Sequence, residues 1–471
     1  MDQDLRSVMA RFEASGDLVR VSEALDGRHE IAAALTLNPR GPALLFDHVK
    51  GHRMAVIGNV LNTRRKYALS LNIEEKEAFS RTVHGLTHPL DPVLVAQGPC
   101  QEKVFTRHID LAAALPLPHL CEKDRNPYVS AGVLVGKDPD TGIRNVSMNR
   151  LQITGPNEAL VGMAPSHHLF QLLKKAEMRG EKLPVAIAVG NHPALHVGAN
   201  MYVDLGFDEF GIVGGLFGEP LRLVRAKTVD IEVPAGSEIV IEGEIDPKRW
   251  AEEGPFGEFS GIYESYGKAP MMRVTALTMR ENPVFQMIMS SRYAEHTLTG
   301  AIAIEATVFQ TVRRAIPGLR EVVITEGGCG RLHMILSLGG ARPGEGKKAI
   351  LAAFAALNLG KLAIAIDDDI DPRDPVEVER AIATRMRADR DVVIIPGVKT
   401  DRAEPLEAGM TVAKMGIDAT RPHDIPPEVL EEADVPAAVK ARVAAKLKKI
   451  VETPSGGVRP GARPGITGRK G

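Results

Sequence analysis

The stretch VSAGVLVGKDPDTGIRNVSMNR, from Val129 to Arg150, decides the architecture. Its first eight residues are rich in β-branched and small apolar side chains and read as a strand. The Asp-Pro-Asp-Thr-Gly run at 138–142 reads as a turn, and a second strand follows it. Outward from this stretch, KLPVAIAVG (182–190), PLRLVRA (220–226) and SEIVIEGEID (237–246) show the same β enrichment or two-residue alternation, separated by Gly and Pro. The middle of the chain is therefore expected to form a β-rich domain. Toward the N-terminus, Leu5, Val8, Met9 and Phe12 recur at helical spacing and DLVRV after Gly16 reads as a strand, an α/β unit ending near residue 105. Toward the C-terminus, a helix-compatible run from Ala301 to Ile316 stops at Pro317-Gly318. Beyond it EVVITE, KKAILAAFAALN, KLAIAI, VEVERAIATRMRA and DVVIIPG alternate strand with helix. Asp374-Pro375 there combines an N-cap with an N1 proline.

The expected fold class is thus α/β plus β: an N-terminal α/β domain (1–105), a central domain (106–310) and a C-terminal α/β domain (311–452). A late helix carries Val439, Val443, Leu447 and Ile450 on one apolar stripe, suited to a packing or subunit contact. Residues 453–471, rich in Gly and Pro, with four basic side chains and no acidic one, are expected to be disordered.

A chain of 471 residues exceeds what one core usually serves, in keeping with several domains. Its 58 basic and 60 acidic side chains nearly cancel, so no global field favours nucleic acid or an anionic membrane, and a small, locally recognised ligand fits better. No apolar run reaches spanning length, and the N-terminus has no signal-peptide core. Cys100, Cys121 and Cys329 are widely spaced without a CxxC pair, which argues against a disulfide framework or a thiolate zinc site and points to a reducing, cytoplasmic setting. Two Gly-rich runs, 214–218 and 343–348, miss the spacing of nucleotide loops and read as turns. The acidic run Asp367, Asp368, Asp369 and Asp371 offers hard oxygen ligands, although acids at strand ends are usually solvated or capping.

The chemistry-bearing residues concentrate between about 106 and 300. They are Ile109-Asp110-Leu111 with Leu115-Pro116 and Pro118, the KDPDTGIRN turn, Asn145 with Arg150 five residues on, Pro165-Ser-His-His168, Glu209, and the hexapeptide Glu253-Gly-Pro-Phe-Gly-Glu258. Singly, each has an ordinary reading: Asn145 as a turn residue, His168 as a helix-start histidine, Glu209 as an exposed acid, Glu253 and Glu258 as ends of a solvated turn. Together and in this order they resemble the UbiD family of decarboxylases, and the resemblance spans most of the chain in domain order.

The resemblance implies a metal site of Asn145, His168 and Glu209 that holds a divalent cation, Mn2+ or Mg2+, against the phosphate of a prenylated FMN. An amide oxygen, an imidazole and a carboxylate are a mostly hard set suited to such ions. His167 is set aside because the eighteen-residue offset from Arg150 matches His168. Arg150, Glu253 and Glu258 match the family's catalytic network, with Glu258 as the acid that supplies a proton in place of CO2 and Arg150 pairing Glu253. Decarboxylation at an sp2 carbon leaves an electron pair that no side chain can accept, so a cofactor sink is required, and the prenylated flavin is that sink. The resemblance further sets Ser147 and Met148 against the flavin, K+ near the Met201 carbonyl, and Lys361 on the phosphate. The Ser290–His296 segment, where members diverge, offers His296 to the substrate together with Arg292 and Tyr293.

By the same resemblance the central domain is a split-barrel-like flavin-binding unit and the C-terminal domain carries an oligomerisation helix, in a homodimer or homohexamer supplied by a UbiX-type flavin prenyltransferase. The implied activity is reversible, non-oxidative decarboxylation of an aromatic, heteroaromatic or α,β-unsaturated carboxylic acid, with a polar ring favoured by His296. Two other readings stay open: a non-catalytic flavin-binding partner subunit, and a metal-dependent hydrolase using His168 and Glu209.

Overall fold

The computed structural model describes residues 2–264, 267–431 and 433–452, with Pro427 and residues 448–452 described by backbone alone. The side chain of Ile450 and the tail expected to be disordered, 453–471, lie outside the described residues. The chain divides into two compact units, Met1–Pro422 and His423–Gly471.

The first unit opens with helix Leu5–Ser15, started by Asp4, whose carboxylate accepts from the Ser7 amide, and ended by Gly16 at φ 75°. Strands Leu18–Val21, Ala43–Phe46 and Ala55–Gly58 continue into a four-stranded sheet, and its last member is Val284–Gln286, contributed from far along the chain and parallel to Ala55–Gly58.

The central strands form a nine-stranded sheet. Its backbone is the long antiparallel pair Ile239–Glu253 and Gly267–Met279, flanked on one side by Glu158–Val161 and Leu151–Gly155, and on the other by Leu183–Val189, Val133–Lys137 and Arg144–Met148. The continuous apolar run of Leu183–Val189 has a direct cause. Val185, Ile187 and Val189 enter one core while Ala186 and Ala188 enter another, so both faces are covered. Register shifts at Glu242/Gly243 and Asp246/Trp250 bend the long pair. At Gly243 a Cβ would lie 2.4 Å from the Arg273 carbonyl oxygen, so the bend needs glycine.

Helix Glu209–Phe217 is buried along its whole length and corrects the reading of 214–218 as a turn. Its glycines serve close helix packing, since a Cβ on Gly215 would lie 2.6 Å from the His88 carbonyl oxygen, and only Gly218, at φ 74°, turns the chain. Run 343–348 is a turn only at Pro343 and Gly344; its last four residues open helix Glu345–Ala356, which corrects the reading of the whole run as a turn.

The five-stranded C-terminal sheet runs Leu319–Ile324, His333–Leu338, Leu362–Asp367, Thr411–Asp418, Val392–Lys399. Against it lies helix Ala294–Ala315, which starts seven residues before the expected Ala301. Its first turn carries Glu295, whose carboxylate accepts from the Asn59 and Leu61 amides at 2.7 Å each, and its middle carries Glu305, paired with Arg64. Partners distant in sequence thus bury charges that hide the helix's apolar period. Asp374 caps helix Pro375–Arg385 as expected.

The acidic run is an ion-pair cluster. Asp369 is gripped by Arg385 at 2.7 and 3.0 Å and by Arg421 at 2.7 Å, Asp367 by Arg385 at 3.2 Å, and Asp368 faces Arg320 at 3.4 Å. Hydrogen bonds from Arg385 push Asp369 down to about 2. The three cysteines are free, and among the described residues no helix is long and apolar enough to cross a membrane. In the second unit, helix Ala437–Glu452 leaves Val443 and Leu447 exposed.

Candidate active site

The site is assembled where strand Arg144–Met148 meets the start of helix Glu209–Phe217. Arg144 binds Asp208 at 2.6 and 3.0 Å and Glu232 at 2.9 Å, while Asp208 caps the helix by accepting from the Phe210 amide. These contacts fix Glu209 against the strand, where its carboxylate accepts from the Val146 amide at 2.7 Å and from Asn145 Nδ2 at 3.0 Å. Glu209 is 3% exposed, and burial pushes it up to about 8 despite those bonds. Asn145 is 5% exposed, and its Oδ1 has no hydrogen-bond partner among the described residues. His168 opens helix His168–Met178 and lines the same cavity, with burial lowering its pKa so that its imidazole is neutral.

Among the described residues no cluster of three or more His, Cys, Asp or Glu suits a metal. The set here has an amide in the third place, and its chemistry fits a hard cation. An orphaned amide oxygen and a neutral imidazole offer lone pairs, and a buried carboxyl with a raised pKa lacks a positive partner among the described residues.

The second half of the site comes from the bent strand. Glu253 ends it, Gly254-Pro255 turns the chain, and Phe256–Gly257 pairs with Tyr263–Glu264 in a short hairpin. Arg150 spans the two acids. Its Nε and Nη2 donate to Glu253 at 2.8 and 3.0 Å, and Nη1 donates to Glu258 at 2.5 Å. Its guanidinium lies 4.2 Å from the Phe256 ring centre. Gly162 makes room for it, since a Cβ there would come within 3.0 Å of the Arg150 Cγ and Nε. Glu253 is 1% and Glu258 6% exposed, so neither belongs to a solvated turn. Glu264, on the same hairpin, is pushed up to about 7 by burial and by Glu258.

Both halves face one cavity of about 420 Å³, lined also by Ser147, Met148, His167, Met201 and His296. Ser147 donates to Asn149 Oδ1 at 2.7 Å, and His296 Nδ1 lies 3.0 Å from the Ser291 carbonyl oxygen. His296 sits in the first turn of helix Ala294–Ala315. Lys361 stands apart: its Nζ binds Glu404 at 2.7 Å, and Asn358 and Leu359 line the cavity in its vicinity while it does not. Tyr202, Arg331 and Asp401 also line it, and sequence reading missed all three because no local motif surrounds them.

Family comparison accords with this arrangement. Three family models of 3-octaprenyl-4-hydroxybenzoate carboxy-lyase match in chain order: the N-terminal domain over 9–85, the Rift-related domain over 93–293 and the C-terminal domain over 297–419. The chain belongs to the UbiD family and is a UbiD-type carboxy-lyase. Anhydromevalonate phosphate decarboxylase of Methanothermobacter thermautotrophicus is 35% identical over 404 residues, 85% of this chain and 93% of that protein. The UbiD-class enzyme HmfF from Pelotomaculum thermopropionicum, solved in complex with FMN, is 38% identical with a TM-score of 0.89, covering 94% of this chain and 99% of the other. The 3,4-dihydroxybenzoic acid decarboxylase AroY of Klebsiella pneumoniae, solved in its apo form, is 27% identical with a TM-score of 0.83 and the same coverage. An evolved dimeric form of HmfF was solved with prenylated FMN.

Proposed function

We propose that this chain catalyses reversible, non-oxidative decarboxylation of an aromatic, heteroaromatic or α,β-unsaturated carboxylic acid with prenylated FMN held by a divalent cation. The observation that carries this is the Arg150 bridge between the buried acids Glu253 and Glu258, in which Arg150 and Glu258 line the cavity that also takes in Asn145, His168 and Glu209. When bound, the flavin supplies the electron sink that no side chain can provide. Asn145 Oδ1, His168 and Glu209 would hold Mn2+ or Mg2+ on its phosphate, with K+ at the Met201 carbonyl. Ser147 and Met148 would lie along the ring system, and Lys361 would reach the phosphate on release from Glu404. Arg150 holds Glu258 at the reacting end and balances its charge. Glu258 delivers the proton to the carbon that loses CO2 and, in the reverse direction, removes it. Phe256, stacked on Arg150, shields that end from water. His296 offers a polar contact to a ring heteroatom or hydroxyl, which favours polar rings of the hydroxybenzoate, pyrrole or furan type.

The same reading assigns a three-part organisation with boundaries near 105 and 310, a split-barrel-like flavin-binding centre, a cytoplasmic setting, and a homodimer or homohexamer joined through the helix that ends near 452. The three family spans support the order of the parts. The test is co-expression with a UbiX-type flavin prenyltransferase. The purified protein is expected to carry a modified-flavin absorption band and to exchange labelled bicarbonate into aromatic acids, whereas partner-free protein has little activity. Full turnover in partner-free protein with plain FMN would sink the reading.

A further inference from the structure

Two consecutive residue pairs join strand Arg144–Met148 to the start of helix Glu209–Phe217: Arg144 with Asp208, and Asn145 with Glu209. Successive side chains of a strand point to opposite faces, so the two pairs straddle it. In the first, Arg144 Nε and Nη2 both donate to Asp208 Oδ2, at 3.0 and 2.6 Å. The second joins two of the three proposed metal ligands at 3.0 Å. A helix end gripped on one face alone is free to swing about the strand. Gripped on both, it holds the Glu209 carboxylate at a set place beside the Asn145 amide.

Arg144 is itself held. Its Nη1 donates to Glu232 Oε2 at 2.9 Å, and the other oxygen of that carboxylate takes Lys137 Nζ at 3.0 Å. Lys137 lies directly opposite Arg144 in the antiparallel pair Val133–Lys137 and Arg144–Met148. Two cations so placed repel, and buried Glu232 turns the repulsion into a bridge that ties both strands to the guanidinium. Arg144 thus spreads one rigid fork over two carboxylates from two other elements, which a lysine cannot reproduce. Asn145 and Glu209 line the cavity, whereas Lys137, Arg144, Asp208 and Glu232 do not, so the four act from behind its wall.

We propose that Arg144 is a positioning residue of the metal site: through Asp208 and Glu232 it sets the spacing of Asn145 and Glu209, and with it the affinity for the divalent cation. The inference rests on the reading of Asn145, His168 and Glu209 as metal ligands. Its sign separates it from plain electrostatics, because a cation near a divalent site repels the ion and its removal alone would tighten binding. The test is Mn2+ uptake by chelator-treated full-length protein in saturating FMN, with free Mn2+ counted by electron paramagnetic resonance. The deciding variant combines Arg144→Met with Asp208→Asn, which leaves the local charge balance unchanged and keeps a helix-capping side chain. It is expected to bind Mn2+ about 10-fold or more weakly, in the range seen when partners of metal ligands are removed, with far-ultraviolet circular dichroism unchanged. Arg144→Lys, which keeps the charge but loses the fork, should fall between the double variant and the wild type, and it decides the matter should the double variant not fold. Wild-type or tighter affinity in the deciding variant overturns the proposal alone. A wild type that takes up no Mn2+, or a Glu209→Gln protein that binds it as the wild type does, overturns the ligand reading and the proposal with it.

Discussion

The raised pKa of Glu209 gives the proposed metal site a thermodynamic signature that needs no substrate. The unfolded carboxyl ionises near 4.5, whereas burial holds the folded one protonated to about 8. Unfolding therefore releases a proton between those values. This group's contribution is fully present below about pH 4.5 and is lost as pH rises toward 8. The difference of 3.5 pH units, 8 minus 4.5, corresponds to a contribution on the order of 5 kcal/mol. A cation that binds the ionised carboxylate removes the penalty by adding binding energy to the folded state alone. The perturbation is chelator-stripped protein at pH 5 to 8, with and without Mn2+, for wild type and Glu209→Gln. Thermal melting of the wild type should fall across this window by roughly 5–10 °C more than that of the variant. Mn2+ should restore the wild type at pH 8 and leave the variant unmoved. Glu264 and Glu295, both pushed up to about 7, add slopes of the same sign, so the difference between the two proteins is the readout. Equal slopes, or equal stabilisation of both proteins by Mn2+, would refute the reasoning.

Glu258→Gln and Arg150→Ala should keep the flavin by absorbance while decarboxylation falls about 100-fold or more, within the usual range for a lost general acid; near-normal turnover of Glu258→Gln would remove it as the proton donor. His168→Ala should lose metal and flavin together in native mass spectrometry while far-ultraviolet circular dichroism stays unchanged, and full occupancy would clear it as a ligand. His296→Asn should alter the ranking of acids in a bicarbonate-exchange panel; an unchanged ranking would return the residue to its bond with Ser291.

What could be read locally was read well. The strand Leu183–Val189 announces itself by β-branched enrichment, and the Asp374 cap by a residue pair, because both are set by the backbone geometry of a few consecutive residues. The order of Asn145, Arg150, His168, Glu209, Glu253 and Glu258 was visible for the same reason. Its family meaning depends on motif spacing along the chain. What the chain brings back from afar stayed hidden. Val284–Gln286 completes the N-terminal sheet across more than 200 residues, and a short apolar run does not name its partner. The early start of helix Ala294–Ala315 was masked by Glu295, a group that can be buried only because the Asn59 and Leu61 amides answer it. The acidic run at 367–369 offered oxygen ligands in the sequence, where a solvated or capping role was the ordinary reading, and neither reading could show its ion pairs with Arg385 and Arg421. Arg331 had no motif at all. By itself the sequence determined most of the strands and helices, their order along the chain, and which residues to consider as candidate reactive groups; it did not show helix Glu209–Phe217 or bring Tyr202, Arg331 and Asp401 to the cavity. Only the tertiary structure decided which charges are cancelled and which are left for a ligand, because burial and ion pairing depend on groups more than 100 residues apart, as with Arg150 and its two acids.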